Sequence, residues 1–139
     1  MNSIHYTFPV DASDFTHAGE ASSKLKQNLK RMNLPPDIIR RCSIAIYEGE
    51  INMVIHANGG VIDVDIFPDH ICMKLADVGP GIPDVEQAMQ EGFSTANPEV
   101  NMLGFGAGMG LPNMKRSSDE IRIDTEIGVG TTVTMRINF

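Results

Sequence analysis

Gly104-Phe105-Gly106-Ala107-Gly108-Met109-Gly110-Leu111 places four glycines at alternate positions leading into a predicted helix that runs from about Met109 to Ser118. Glycine at this density costs backbone entropy on folding, so the stretch needs a physical reason. A loop whose N–H groups, together with the N-terminus of the following helix, cradle phosphate oxygens supplies one. The pattern is not a Walker A loop, which requires Gly-Lys-Ser/Thr. It is not a dinucleotide fingerprint either, because no third glycine falls in register. Taken alone, the same glycines are also compatible with a merely flexible loop.

Working upstream, Gly92 to Phe105 loses periodicity and is rich in small and polar residues. A loop this long inside a compact domain is usually functional or mobile. Before it, Pro83 opens a short predicted helix through about Gln90. Asp77-Val78-Gly79-Pro80-Gly81-Ile82 then follows directly on a predicted strand, Ile71–Ala76. An aspartate at a strand end can accept a hydrogen bond from an exocyclic amino group, and the glycines let the backbone turn tightly against a flat ring. In isolation this is also an ordinary turn sequence.

Further upstream a helix is predicted from Pro36, well placed at a first helical position, to about Ala57, where Asn58-Gly59-Gly60 terminates it. Between Cys42 and Ala57 almost every residue is apolar or small, so this helix should be buried. Its polar exceptions Glu48, Asn52 and His56 recur every fourth residue and share an arc of about 80°. Ser43 and Glu50 point to the opposite side. A polar stripe on a buried helix must meet a polar cavity, a ligand or a partner network, because unpaired burial costs several kcal/mol. Singly, Glu48 could equally be a solvated edge residue and Asn52 a backbone-bonded amide. His56 reads as structural, a cation suited to the helix C-terminal dipole.

The remaining elements complete a single domain over residues 1–139. Ile4, Tyr6, Phe8 and Val10 alternate as a first strand. Asp11 or Ser13 caps a predicted helix running to about Met32, with Phe15, Ala18, Leu25 and Leu29 at roughly helical spacing, before Asn33-Leu34-Pro35-Pro36 breaks it. Val61–Phe67 pairs with the strand from Ile71 through Pro68-Asp69-His70. Ile121–Glu126 and Thr131–Ile137 close the chain around Gly128-Val129-Gly130. There is no internal repeat. The expected fold is α/β (α+β), a two-layer sandwich with helices on one face of a mixed, largely antiparallel sheet.

Composition narrows the function. The chain has 139 residues, 42% apolar and 21% charged, enough for one core without staples. A formal charge of −7, with Lys and Arg scattered, argues against a nucleic-acid partner. Cys42 and Cys72 sit in apolar stretches without metal or redox spacing and read as two buried thiols of a reducing compartment. No signal peptide and no membrane-length apolar run is visible, so a cytoplasmic protein is expected.

The segments taken together resemble the GHKL (Bergerat-fold) ATPases, the superfamily of gyrase B, Hsp90, histidine kinases and MutL. Glu48-x-x-x-Asn52 is similar to the N box, Asp77-x-Gly79-x-Gly81-Ile82 to the G1 box, and Gly104 to Leu111 to the G2 box. Gly128-Val129-Gly130-Thr131-Thr132 looks like the terminal Gly-Thr element. Order and spacing agree across most of the chain. The size, His56 after Asn52, and Gly92-Phe93-Ser94-Thr95 before the G2 box resemble the bacterial anti-sigma-factor and switch-protein serine kinases.

The resemblance implies roles. Asp77 would accept the adenine amino group of ATP, with Gly79, Gly81 and Ile82 shaping the turn and Thr131 (or Thr132) helping through water. Asn52 would ligate Mg²⁺, a hard cation that fills its other positions with phosphate oxygens and water. Glu48 would be the general base. Gly104, Gly106, Gly108, Gly110 and Leu111 would line the phosphates, and residues from about Gly92 to Ala107 would form the ATP lid. The implied partner is a regulatory protein, an antagonist-like substrate with a sigma factor or another target behind it, and a homodimer is a family-level expectation. One departure stands out: no Lys or Arg occurs between Lys74 and Lys115, whereas such kinases commonly carry a basic lid residue against the γ-phosphate. Charge developing on a transferring phosphoryl group usually needs cationic help beyond Mg²⁺. Two readings therefore stay open, an ATP-dependent serine/threonine kinase and a non-catalytic ATP-sensing module that gates a protein interface.

Overall fold

The computed structural model describes residues 3–12, 18–89 and 110–139. Strand β1 (Ile4–Val10) is followed by helices α1 (Glu20–Arg31) and α2 (Pro36–Ile55), strands β2 (Gly60–Ile66) and β3 (His70–Asp77), and a single helical turn, α3 (Val85–Ala88). Helix α4 (Gly110–Ser117) and strands β4 (Glu120–Glu126) and β5 (Gly130–Asn138) complete the chain.

The strands form one sheet in the order β1-β2-β3-β5-β4. Among the described residues all its pairings are antiparallel, in keeping with the largely antiparallel sheet expected from the sequence. Because side chains alternate along a strand, the register builds rows across the sheet. Phe8, Ile62, Leu75, Val133 and Ile123 form one, and Tyr6, Val64, Met73, Met135 and Ile121 the next. These rows lie against the helices and their central members are buried. The opposite rows carry His5, Asp65, Cys72 and Arg136, or Thr7, Asp63, Lys74 and Thr134, and stay partly or fully in solvent. On that face His5 Nδ1 lies 2.8 Å from Asp65 and Thr7 donates to Asp63 at 2.9 Å. Among the described residues, the helices thus cover one face only.

Helix α2 is the central rod of the helical layer. Pro36 opens it at the first helical position, and its end is fixed by Gly59, whose N–H reaches the carbonyl of Met53 at 3.1 Å. A φ of +80° at Gly59 makes that reversal available to glycine and strained for other residues. Cys42, Ala45 and Ile46 are fully buried along its length. Gly49 is what lets α2 sit so near the sheet: a Cβ there would come within 2.2 Å of Leu75 Cδ2 on β3. Helix α1 lays Leu25 and Leu29, both fully buried, into the same core, where each is worth roughly 1.5–3 kcal/mol.

Two sequence expectations change here. Helix α1 begins at Glu20, well after Asp11, and its cap is not a local side chain; Ser13 and Phe15 lie outside the described residues. Of the two thiols, Cys42 is buried and pushed up to about 12 by that burial, but Cys72 is only half-buried, on the sheet's outer face.

Candidate nucleotide site

The candidate site has two parts: the end of β3 with the β4–β5 hairpin and the end of α2, and α2 where it meets the start of α4. Asp77 closes β3, and its Oδ1 accepts the Thr131 N–H at 2.8 Å. Burial pushes the Asp77 carboxyl above its usual range, and the Thr131 N–H offsets this in part. The Thr131 hydroxyl lies 2.9 Å from that of Thr125, whose oxygen also accepts the Ile82 N–H at 2.8 Å. Asp77, Thr131, Thr125 and Ile82 therefore form one connected network. Thr131 is buried beside the core residue Val133, while Thr132 pairs with Ala76 and belongs to the other face of β5. Of the two threonines, Thr131 is therefore the one joined to Asp77.

The turn after Asp77 is laced to its neighbours by the backbone. Gly79 N–H donates to Val129 at 3.2 Å and Pro80 accepts from Gly128 at 2.9 Å, binding the turn to the hairpin. Val78 exchanges bonds with Gly59 and Asn58, binding it to the end of α2. Gly79 packs on Ala57, which a Cβ at position 79 would approach to 2.9 Å. Gly81 has φ +81°, and a Cβ there would come within 2.7 Å of the Glu126 carbonyl, so only glycine fits without strain. The result is a rigid rim around a half-buried carboxyl with an acceptor oxygen to offer.

On α2, Glu48 and Asn52 are both half-buried and one turn apart. Asn52 lies against the start of α4: a Cβ on Gly110 would come within 2.8 Å of Asn52 Oδ1. The Asn52 amide thus lies at the start of α4, and at a helix N-terminus backbone N–H groups and the dipole favour anions. A neutral oxygen donor beside an anion cradle suits Mg²⁺, which takes few protein ligands and keeps phosphate oxygens and water. Among the described residues no group of three or more His, Cys, Asp or Glu is gathered to hold a metal ion. Glu48 Oε1 accepts the side-chain N–H of Asn113 at 3.2 Å. His56 ends the helix, and burial lowers its pKa, which favours a neutral imidazole over the cation suggested by the helix dipole.

The structure thus brings Asn52 to Gly110, and Asp77 to Thr131 and Ile82. Leu111 turns its side chain into the core, so a phosphate there would meet only its backbone. Gly104, Gly106, Gly108 and the lid from about Gly92 to Ala107 lie outside the described residues. Three participants escaped the sequence reading: Asn113, Thr125 and Glu50. Thr125 carried no signal beyond its place opposite Thr131. Glu50 lies on the far side of α2 from the polar stripe, where helical spacing gives it no role. It is 4% exposed, and its two oxygens accept the N–H groups of Ala21 and Ser22 at 3.1 and 3.2 Å, capping α1 from 29 residues away.

A family model described as the histidine kinase-like ATPase domain matches residues 12–137, nearly the whole chain. The chain belongs to the histidine kinase-like ATPase family. Its GHKL resemblance and its α/β architecture agree with that membership. Among similar proteins of this family, the serine/threonine-protein kinase RsbT of Bacillus subtilis (strain 168) is 34% identical over 97 residues, covering 67% of each chain. An anti-sigma F factor of Caldanaerobacter subterraneus subsp. tengcongensis is 36% identical over 96 residues, 66% of this chain and 64% of that protein. The anti-sigma F factor of Geobacillus stearothermophilus is 28% identical over 106 residues, 72% of this chain and 69% of that one. The matches span about two thirds of these relatives' lengths. Among the described residues no helix is long and apolar enough to cross a membrane.

Proposed function

We propose that this chain is a Mg²⁺- and ATP-dependent serine/threonine protein kinase of the partner-switching type, acting on a small antagonist-like protein and restraining a second regulatory target. The observation that carries the proposal is the pairing on α2: Glu48 stands one turn from Asn52, whose amide lies at the start of α4. A base is thereby set beside the place where phosphates would be held. Asp77, with Thr131, Thr125 and Ile82 behind it, accepts from the adenine amino group. Asn52 contributes an oxygen to Mg²⁺, which neutralises phosphate charge when bound. Glu48 takes the proton of a serine hydroxyl as that oxygen attacks the γ-phosphorus and the bond to ADP breaks. The similarity to RsbT and to anti-sigma F factors supports this partner class, and a homodimer accords with the same analogy.

The test is transfer of γ-phosphate from labelled Mg·ATP to a candidate antagonist-like protein. Glu48→Ala should reduce transfer by about 10²-fold or more while ATP affinity stays within a few-fold. A second reading, a non-catalytic ATP-sensing module, is favoured by one observation, the lack of Lys or Arg from residue 75 to residue 114. It wins if Glu48→Ala leaves control of the partner intact while Asn52→Ala destroys it.

A further inference from the structure

Helix α4 presents a relay that the sequence motifs do not contain. Asn113, in its first turn, donates from Nδ2 to Glu48 Oε1 at 3.2 Å, and its Oδ1 accepts from Arg116 Nη2 at 2.5 Å. The chemistry of the two ends fixes the amide's orientation. An ionised carboxylate only accepts and a guanidinium only donates, so only one of the two orientations of the Asn113 amide satisfies both partners. A flipped amide would set its carbonyl against the carboxylate and its NH₂ against the guanidinium.

Resting on the general-base role given to Glu48 above, we propose that Asn113 is a positioning residue for that base, locked in its working orientation by Arg116. Asn113 engages Oε1 and leaves Oε2, which accepts no hydrogen bond among the described residues, to face the incoming hydroxyl. Arg116 also brings a cation within two hydrogen bonds of Glu48, in a chain with no Lys or Arg from residue 75 to residue 114. Because Asn113 stands on the same short helix that Gly110 begins, the base and the phosphate end of the site are held from one rigid element.

The experiment follows single-turnover phosphate release from γ-labelled Mg·ATP by the full chain, with ATP affinity and thermal stability measured in parallel. Asn113→Asp keeps the shape and the bond from Arg116 but replaces the donor to Glu48 with an acceptor. The expected result is a fall of about 10- to 100-fold in the single-turnover rate, with ATP affinity unchanged within twofold. Asn113→Gln, which keeps the donor, should recover part of the loss, and Arg116→Met, which frees the amide to flip, should fall in between. A wild-type rate in Asn113→Asp, or a loss explained entirely by weaker ATP binding, overturns the relay while leaving the base in place, provided Glu48→Ala is inactive. If Glu48→Ala releases phosphate no more slowly than wild type, the base assignment itself fails and the relay falls with it.

Discussion

The side-chain amide of Asn52 packs directly on the backbone of Gly110, with room for a hydrogen at that position and nothing larger: an added Cβ would lie 2.8 Å from Oδ1 and 3.0 Å from Nδ2. This contact joins α2 to α4 at the point where metal and phosphate would meet. Gly110→Ala should push the Asn52 amide aside and weaken Mg²⁺-dependent ATP binding by about 10-fold or more. Stability should hold, since alanine is the better helix former. Calorimetric titration with and without Mg²⁺ measures it. Equal affinity in the variant would remove Asn52 from the metal site.

Asp77→Asn separates binding from stability. Burial raises the carboxyl's pKa in the folded state, so the ionised form is the disfavoured one there. By linkage, its contribution to stability is fully present below the unfolded pKa and lost as pH rises through the folded value. Asparagine keeps an acceptor for the Thr131 N–H and carries no charge. The variant should therefore melt at or slightly above the wild-type temperature near neutral pH, yet bind ATP at least about 10-fold more weakly, because the amide presents a donor to the adenine amino group. A variant with wild-type affinity would mean that Asp77 does not read the base.

Glu50→Gln tests the remote cap. Two N–H groups at the start of α1 are satisfied by two carboxylate oxygens. Glutamine has one oxygen, so one amide must face an NH₂ group in a buried setting. The expected cost is about 1–3 kcal/mol, a drop in melting temperature of roughly 3–10 °C. Thermal unfolding checks it, and an unchanged midpoint would show that α1 does not depend on this cap.

These cases also show what the sequence could and could not disclose. Helix α2 and the β2–β3 hairpin were legible because their signals are local: Pro36 at one end, Asn58-Gly59-Gly60 at the other, and alternation on both sides of Pro68-Asp69-His70. The start of α1 was not legible, since Gly19 provides no side-chain cap and the capping carboxylate comes from another helix. Asn113 and Thr125 were invisible for the same reason. Each acts through a partner distant in the chain or across a hairpin, and neither has a spacing that would distinguish it from a solvated polar residue. The motif residues were found because glycine clusters and a polar stripe on an apolar helix violate what a plain core would need.

His56 provides the pH experiment. Its pKa is lowered by burial from the ordinary value of 6.5. The unfolded chain therefore takes up the proton first, and the stability associated with the neutral ring is present above that value and lost as pH falls through the folded pKa. His5 works the other way: its bond to Asp65 raises its pKa, so its contribution is present at low pH and lost on the alkaline side. Comparing His56→Gln with wild type isolates the first effect. Between about pH 7.5 and 5 the variant should lose less stability than wild type. Parallel curves from denaturant titrations would argue that burial does not hold the ring neutral.

Glu48, Gly49 and Glu50 are consecutive, and successive residues of a helix point about 100° apart. Here the first turns to α4, the second to β3 and the third to the start of α1. One turn of one helix is therefore where three elements distant in the chain take their spacing from each other. Mutational tolerance should be lowest there, and for different reasons at each position: turnover at 48, tight packing at 49, helix initiation at 50. Pairs of substitutions within this turn should be strongly non-additive, because each shifts the rod on which the others depend. For redesign of the protein, this tripeptide is best treated as a single unit, and variation is best spent on the wet face of the sheet.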